Sequence, residues 1–220
     1  MTKKMRLLIL LTSIVCVTLD AQVIFEGKII YDGGYDSLPP EIVGKLEPVN
    51  QQIQFKKGRK NRLETVSTGE TFTMSMIIVE DYDRAERLIL NHMHFKTKGV
   101  KDMKTASIQK IIFKADTGIA AGAVVKYYDE EKMFAGYKGQ RAALVLRDGT
   151  ESFTFYACKD FVISSSDYPG LEQIPLILEY KMRLPTFTAK YQAVSISEEP
   201  LNDELFDVTN IPKGYVPQKL

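Results

Sequence analysis

The chain is poor in sulfur and imidazole. Its 220 residues hold two cysteines and two histidines. Cys16 lies in the apolar start of the chain, so Cys158 alone remains in the part that folds, and one thiol makes no internal disulfide. A chain of this length can bury enough core without one. An exposed Cys158 would be able to pair between chains, whereas a buried one would be inert. His92 and His94 share a face if they lie on a strand, as two metal ligands would. A zinc site needs further ligands, and only carboxylates or Cys158 are left to supply them. There is no Ser–His–Asp order and no GxSxG elbow. The acid pairs Glu130-Glu131 and Glu198-Glu199 would point to opposite faces of a strand. No nucleophile–base set can be named, so the sequence reads as non-enzymatic, with no cofactor and no metal.

Charge of one sign is missing too. The formal charge is +1, and removal of residues 1–21, with three basic residues and one acid, takes it to −1. A near-neutral chain gives no reason to expect nucleic acid as a partner. Long apolar runs are equally scarce. One apolar run spans residues 7–17, behind Lys3, Lys4 and Arg6, and Leu19-Asp20-Ala21 places a small residue before a cut. This is the pattern of a secretory signal peptide cleaved after Ala21, and the run is short for a membrane span. The rival is a lipoprotein signal acylated at Cys16, but Ser13-Ile14-Val15 lacks the small residue wanted directly before the cysteine. The expected organisation is a signal peptide over 1–21 and a single domain over 22–220, periplasmic or secreted, with no transmembrane segment. There is no internal repeat, low-complexity tract or interdomain linker.

What is present is alternation. "VIFEGKIIY" (23–31) sets Val23, Phe25, Gly27, Ile29 and Tyr31 on one face. "QQIQFKKG" and "RKNRLETVS" turn near Gly58, and "TFTMSMIIVED" sets Phe72, Met74, Met76 and Ile78 together before a turn at 81–84 and a return over 85–96. Later, "QRAALVLRD" and "ESFTFYACK" flank Asp148-Gly149-Thr150, a strong hairpin signal. "QIPLILEYKMR" and "TFTAKYQAVSI" flank Leu184-Pro185, with Leu176, Leu178, Tyr180 and Met182 on one face and Phe187, Ala189 and Tyr191 on another. Turns at such regular spacing favour an antiparallel meander. "SLPPEIVGKLEP" (37–48) breaks the pattern and reads as a helix capped by Ser37, and a short helix starts at Asn202. "SIQKIIFKA" (107–115) fits a strand or a helix, and "TGIAAGAVV" (117–125) a loop or a buried connection.

Two basic stretches invite a binding role. "EKMFAGYKGQRAALVL" (131–146) gathers Gly136, Lys138, Gly139 and Arg141, but Lys138 is followed by glycine and the segment leads into a hairpin. A phosphate loop needs Ser or Thr after the lysine and a helix beyond it, so this is a bend between strands. "KKGRKNR" (56–62) has five basic residues in seven. It reads as a solvated hairpin, with contact to an anionic lipid head as the alternative.

Several pieces together resemble a known family. They are "FEGKIIY", "LPPEIVGKL", "FKKGRKNRLE", "KMFAGYKGQRAALVL", "GLEQIPLILEYKM" and "DELFDVTNIPKGY". The family is an exported bacterial domain-of-unknown-function family, itself similar to LolA-like lipoprotein carriers. Members often carry a cysteine after "GYK", where this chain has Gly139. The resemblance implies a mainly β (α+β) fold: an antiparallel meander sheet curled into a half-barrel, with short helices covering the concave face. It also implies a cell-envelope protein whose concavity holds an acyl chain. The face residues Phe25, Tyr31, Met74, Met76, Phe153, Phe155, Leu178, Tyr180, Phe187 and Tyr191 would line it, although periodicity alone equally allows a dry core. The expected partners are a lipid or lipoprotein, or, on the alternative reading, an envelope protein bound without any small ligand.

Overall fold

The computed structural model describes residues 23–37, 51–68, 71–95, 102–112, 122–164, 173–183, 187–208 and 213–217. Alternating apolar side chains make extended backbone the conformation that buries one face, and the described chain is almost entirely strand. The first strands are β1 (Val23–Ile24), β2 (Gly27–Ser37), β3 (Gln52–Lys57), β4 (Lys60–Thr68), β5 (Phe72–Asp81), β6 (Glu86–Phe95) and β7 (Met103–Ile112). The later ones are β8 (Val124–Phe134), β9 (Tyr137–Val145), β10 (Glu151–Ser164), β11 (Gln173–Arg183), β12 (Thr188–Glu198) and β13 (Val216–Pro217). The segment that fitted either a strand or a helix from residue 107 onward is therefore strand in its described part, within β7. The expected signal peptide and the remainder of the expected 37–48 helix lie outside the described residues; Ser37 itself ends β2. Most of the 117–125 connection and the Leu184-Pro185 turn also lie outside them.

One curled, unclosed sheet holds these strands, in the order β13-β7-β6-β5-β4-β3-β2-β12-β11-β10-β9-β8, with β1 beside β10. The order corrects the picture of a single meander. Strands β2 to β7 form one meander running out to an edge, and β8 to β12 form a second that starts at the opposite edge and returns to the middle. The two join where β12 pairs antiparallel with β2, from Thr188↔Ser37 to Glu198↔Gly27. That pairing covers the hydrogen-bonding edge that β2 would otherwise expose.

The hairpin turns follow from local chemistry. Asp148 accepts from the Thr150 amide at 2.9 Å, and Gly149 takes a φ of 87°. Between β8 and β9, Ala135 and Gly136 take φ of 48° and 88°, both in the left-handed region that a two-residue hairpin demands. "GYKG" is thus a turn and a strand start, as the sequence suggested. Lys138 points outward and pairs with Glu131 at 2.8 Å, while Tyr137 packs on Phe161. Gly139 is buried, and a Cβ there would sit 2.7 Å from the Phe134 ring and 3.2 Å from Leu178 Cδ1.

The second meander folds back over the first. β11 pairs with β12 only over Glu179–Arg183; its first half stays with β10. That limb crosses β2, and the Tyr31 hydroxyl donates to the Ile177 carbonyl at 2.7 Å. The main core lies between the layers, with Phe25, Ile29 and Tyr31 meeting Ile163, Ile174, Leu176 and Leu178. The short helices expected over the concave face are not seen among the described residues, and the β10–β11 limb lies there instead. No α-helix occurs among the described residues, and no helix there is long and apolar enough to cross a membrane.

The outer face of the first meander is covered by the C-terminal tail. Asn202 caps a single 3-10 turn, Asp203–Phe206, by accepting from the Glu204 amide at 3.1 Å. Leu201, Phe206 and Val208 bury Val79 and Leu90, and β13 runs parallel to the edge of β7. Burying a phenylalanine side chain such as Phe206 contributes about 2–3 kcal/mol.

Candidate functional site

Between the concave face of β2–β6 and the overlying limb lies an open cavity of about 350 Å³. The limb side of it is apolar, with Phe153, Ile163, Ile174, Ile177 and Tyr180. The sheet side is mixed: Tyr31, Leu63 and Ile78 stand beside Lys56, Asn61, Glu80 and Arg87. Strand pairing explains the mixture. Lys56↔Asn61, Asn61↔Glu80 and Glu80↔Arg87 are cross-strand partners, so one polar row runs across β3, β4, β5 and β6.

Glu80 organises that row. Its side chain is only 7% exposed. Asn61 Nδ2 donates to Glu80 Oε2 at 2.8 Å, and the Tyr82 hydroxyl donates to the same oxygen at 2.9 Å. Arg87 donates twice to Oε1, through Nε at 2.8 Å and through Nη2. Burial alone would push the carboxyl up, but these donors and the Arg87 charge outweigh it and hold Glu80 below the usual range. The carboxylate therefore stays ionised at neutral pH.

Three residues expected to line a cavity do so: Tyr31, Phe153 and Tyr180. Tyr180 is also stacked on Tyr191 with ring centroids 5.1 Å apart, and donates to Gln52 Oε1 at 2.6 Å. Burial, with the Tyr191 hydroxyl as a smaller cause, raises the Tyr180 phenol far above its ordinary value, and Tyr31 is raised likewise. Phe25 and Leu178 lie in the close-packed core, and Phe155 in a smaller cluster with Ala142 and Leu144. Met74 is exposed, Met76 is half-buried, and Phe187 stands edge-on to Tyr35. The expected common face of Leu176, Leu178, Tyr180 and Met182 is broken by a β-bulge. Tyr156 pairs with Glu179 but Ala157 with Ile177, so Leu178 is the extra residue and Ile177 takes its place beside Tyr180.

Sequence reasoning missed the polar row. One signal was available: Glu80 continues the alternation of Phe72, Met74, Met76 and Ile78 in β5. An acid at a core-facing position needs a partner, and Arg87 follows across a short turn.

The other candidates fall outside the cavity. His92 and His94 share the outer face of β6, opposite Arg87. His92 packs edge-on against Tyr215 of the tail, its Nε2 has no hydrogen-bond partner, and burial pushes its pKa down despite Glu64. His94 bonds Asp102 at 2.9 Å. No cluster of three His, Cys, Asp or Glu side chains that could hold a metal occurs among the described residues. Cys158 is buried in the core, and burial raises its thiol, so it is not an activated nucleophile.

The basic stretch at 56–62 corrects the expectation of a solvated hairpin. Lys57 Nζ donates to the Leu201 carbonyl at 2.7 Å, and Arg62 to the Leu205 carbonyl. Lys60 pairs with Asp203 at 3.0 Å, Arg59 with Asp83 at 2.7 Å, and Lys56 is buried in the cavity wall. Lys57, Lys60 and Arg62 thus form a clasp for the tail. At the far edge of the sheet, β8 presents Asp129, Glu130, Glu131 and Lys132, charges that oppose pairing with another strand.

No protein-family model matches this chain, and no curated protein does. Among solved structures it is similar to PNGF-II in its C2 crystal form, at 14% sequence identity and a TM-score of 0.37. The likeness covers 88% of this chain and 30% of that one, so this chain spans under a third of that protein's length. A likeness this slight carries no argument about fold or activity.

Proposed function

We propose that this chain is an exported, cell-envelope binding protein whose cavity takes the hydrocarbon chain of a lipid or lipoprotein. The observation that carries the reading is the cavity itself: about 350 Å³ of space beside an apolar limb, left open between two layers that otherwise pack closely. Its size is at the low end for small-molecule pockets, which suits one slender chain. The leader-like start of the sequence and the motif resemblance to LolA-like carriers support the same reading. The Tyr31 and Tyr180 rings meet edge-on at 5.9 Å and give one end of the cavity a stiff aromatic wall.

The test is mass spectrometry on solvent extracts of the protein, purified from a periplasm without detergent. A bound lipid at near-stoichiometric yield is expected, and Phe153→Glu is expected to lose it while retaining the strand-rich circular dichroism spectrum. Empty protein in repeated preparations, with no acyl probe taken up afterwards, would overturn the reading.

A further inference from the structure

The methionines are unevenly distributed. The chain has eight, two of them in its first five residues. Of the other six, Met74, Met76, Met93 and Met103 come from β5, β6 and β7, three strands adjacent in the sheet. Register gathers them. Met74 pairs directly with Met93, and Phe95, two residues further along β6, pairs with Met103. Pairing is continuous along these strands, so opposite residues share a face. Alternation along β5 puts Met74 and Met76 on the face of Ile78 and Glu80, which line the cavity. The methionines therefore lie on the concave face, further along the strands than the cavity. Directly opposite side chains start about 4.5–5.5 Å apart and diagonal ones about 7–8 Å, within reach of long side chains. Met93 is opposite Met74 and diagonal to Met76, so three sulfurs can converge on one point. Three rotatable bonds give each thioether the freedom to do so. The setting is apolar and open. Met74 is 41% exposed and Met103, at the rim, 54%, while Met76 and Met93 are half-buried. Phe72 and Phe95 pair in the next row, Asn91 stands opposite Met76, and Ser67 opposite Met74, so no charged side chain occupies these neighbouring positions. On the outer face of the same strands, Ile77, Val79, Leu88 and Leu90 do the packing beneath the tail. The methionines are left accessible instead.

We propose that Met74, Met76 and Met93 form a thioether site for a soft monovalent cation of the Cu(I) type. Neutral, polarisable sulfur suits such an ion, whereas harder cations favour carboxylate oxygen and imidazole nitrogen. Neither is offered here: His92 and His94 lie on the opposite face of β6, and the paired positions around the methionines hold no acid. The expectation of no metal rested on histidine, cysteine and carboxylate ligands alone. None of the three methionines lines the acyl-chain cavity, so the site does not depend on that reading.

The experiment titrates the full chain with Ag(I) in chloride-free buffer and follows isotope-labelled methionine methyl groups by NMR. Ag(I) has the charge and softness of Cu(I) and is stable in air. The signals of Met74, Met76 and Met93 are expected to shift together and to saturate. Met133 and Met182, exposed on β8 and β11, should stay in place at the same silver concentration. Methyl signals report thioethers directly, so silver held by Cys158 or a histidine is not mistaken for the site. Anaerobic Cu(I) should reproduce the shifts, and Zn(II) should not. Met93→Leu conserves volume and should keep the fold, yet lose the joint shift of Met74 and Met76. The comparison with Met133 and Met182 is read in the native protein, so it stands even if the variant fails to fold. Equal shifts at all five methionines, no shift with Ag(I) or Cu(I), the same response to Zn(II), or an undiminished response in Met93→Leu would each overturn the site.

Discussion

Gly139→Ala is the substitution whose cost can be worked most directly from the geometry. The new Cβ would sit 2.7 and 2.8 Å from two carbons of the Phe134 ring and 3.2 Å from Leu178 Cδ1. Comfortable carbon–carbon contact begins at about 3.5 Å, so the ring must retreat by close to 1 Å. It has nowhere to go. Phe134 is 2% exposed, the Tyr156 ring lies 5.4 Å from its centroid, and Lys132 Nζ sits over its face at 4.8 Å. Overpacking of this kind costs about 1–3 kcal/mol. The backbone there needs no glycine, so the substitution also gains about 0.4–1 kcal/mol by restricting the unfolded chain. The net loss is about 1–2 kcal/mol, or roughly 2–8 °C in melting temperature for a chain of this size. Urea denaturation of Gly139→Ala, Phe134→Leu and the double variant measures it. Phe134→Leu removes the clashing edge, so the double variant should recover about 1 kcal/mol relative to additivity. Full stability of Gly139→Ala, or strict additivity, would refute the packing argument.

Three further outcomes are expected. The folded pKa of His92 is lowered from 6.5 and that of Glu80 from 4.5, so at acid pH the unfolded chain binds more protons and stability falls as pH falls. The loss begins as pH drops through 6.5 with His92, under Tyr215, and grows below 4.5 with Glu80; thermal melts of His92→Phe should lack the first part and keep the second. Ala135→Gly relieves a φ of 48° in the β8–β9 turn and should stabilise by about 1 kcal/mol, read as a higher urea midpoint at an unchanged m-value. Phe206→Ala empties the clasped tail's main anchor over Val79 and Leu90 and should cost about 3 kcal/mol, with faster amide exchange confined first to β13 and the edge of β7.

The strands, the Asp148-Gly149 hairpin and the turn at Gly58 were legible because each depends on residues within a few positions of one another; the short helix expected from Asn202 is only a single 3-10 turn. Side-chain alternation has a period of two, and turn chemistry is a property of the turn's own residues. The same locality explains the failures. One extra residue at Leu178 reverses the phase of β11, and nothing in an apolar run marks which residue will be extra. The pairing of β2 with β12 and the seating of the tail on Lys57, Lys60 and Arg62 join segments more than a hundred residues apart. The row Lys56, Asn61, Glu80 and Arg87 reads in the sequence as ordinary solvated side chains. It became a buried cavity wall only when the second meander folded over the first and removed water from one side of it. The sequence by itself determined a β protein with these hairpins. Which face closes on which, and so where the cavity lies, was decided by contacts that form only in the folded sheet.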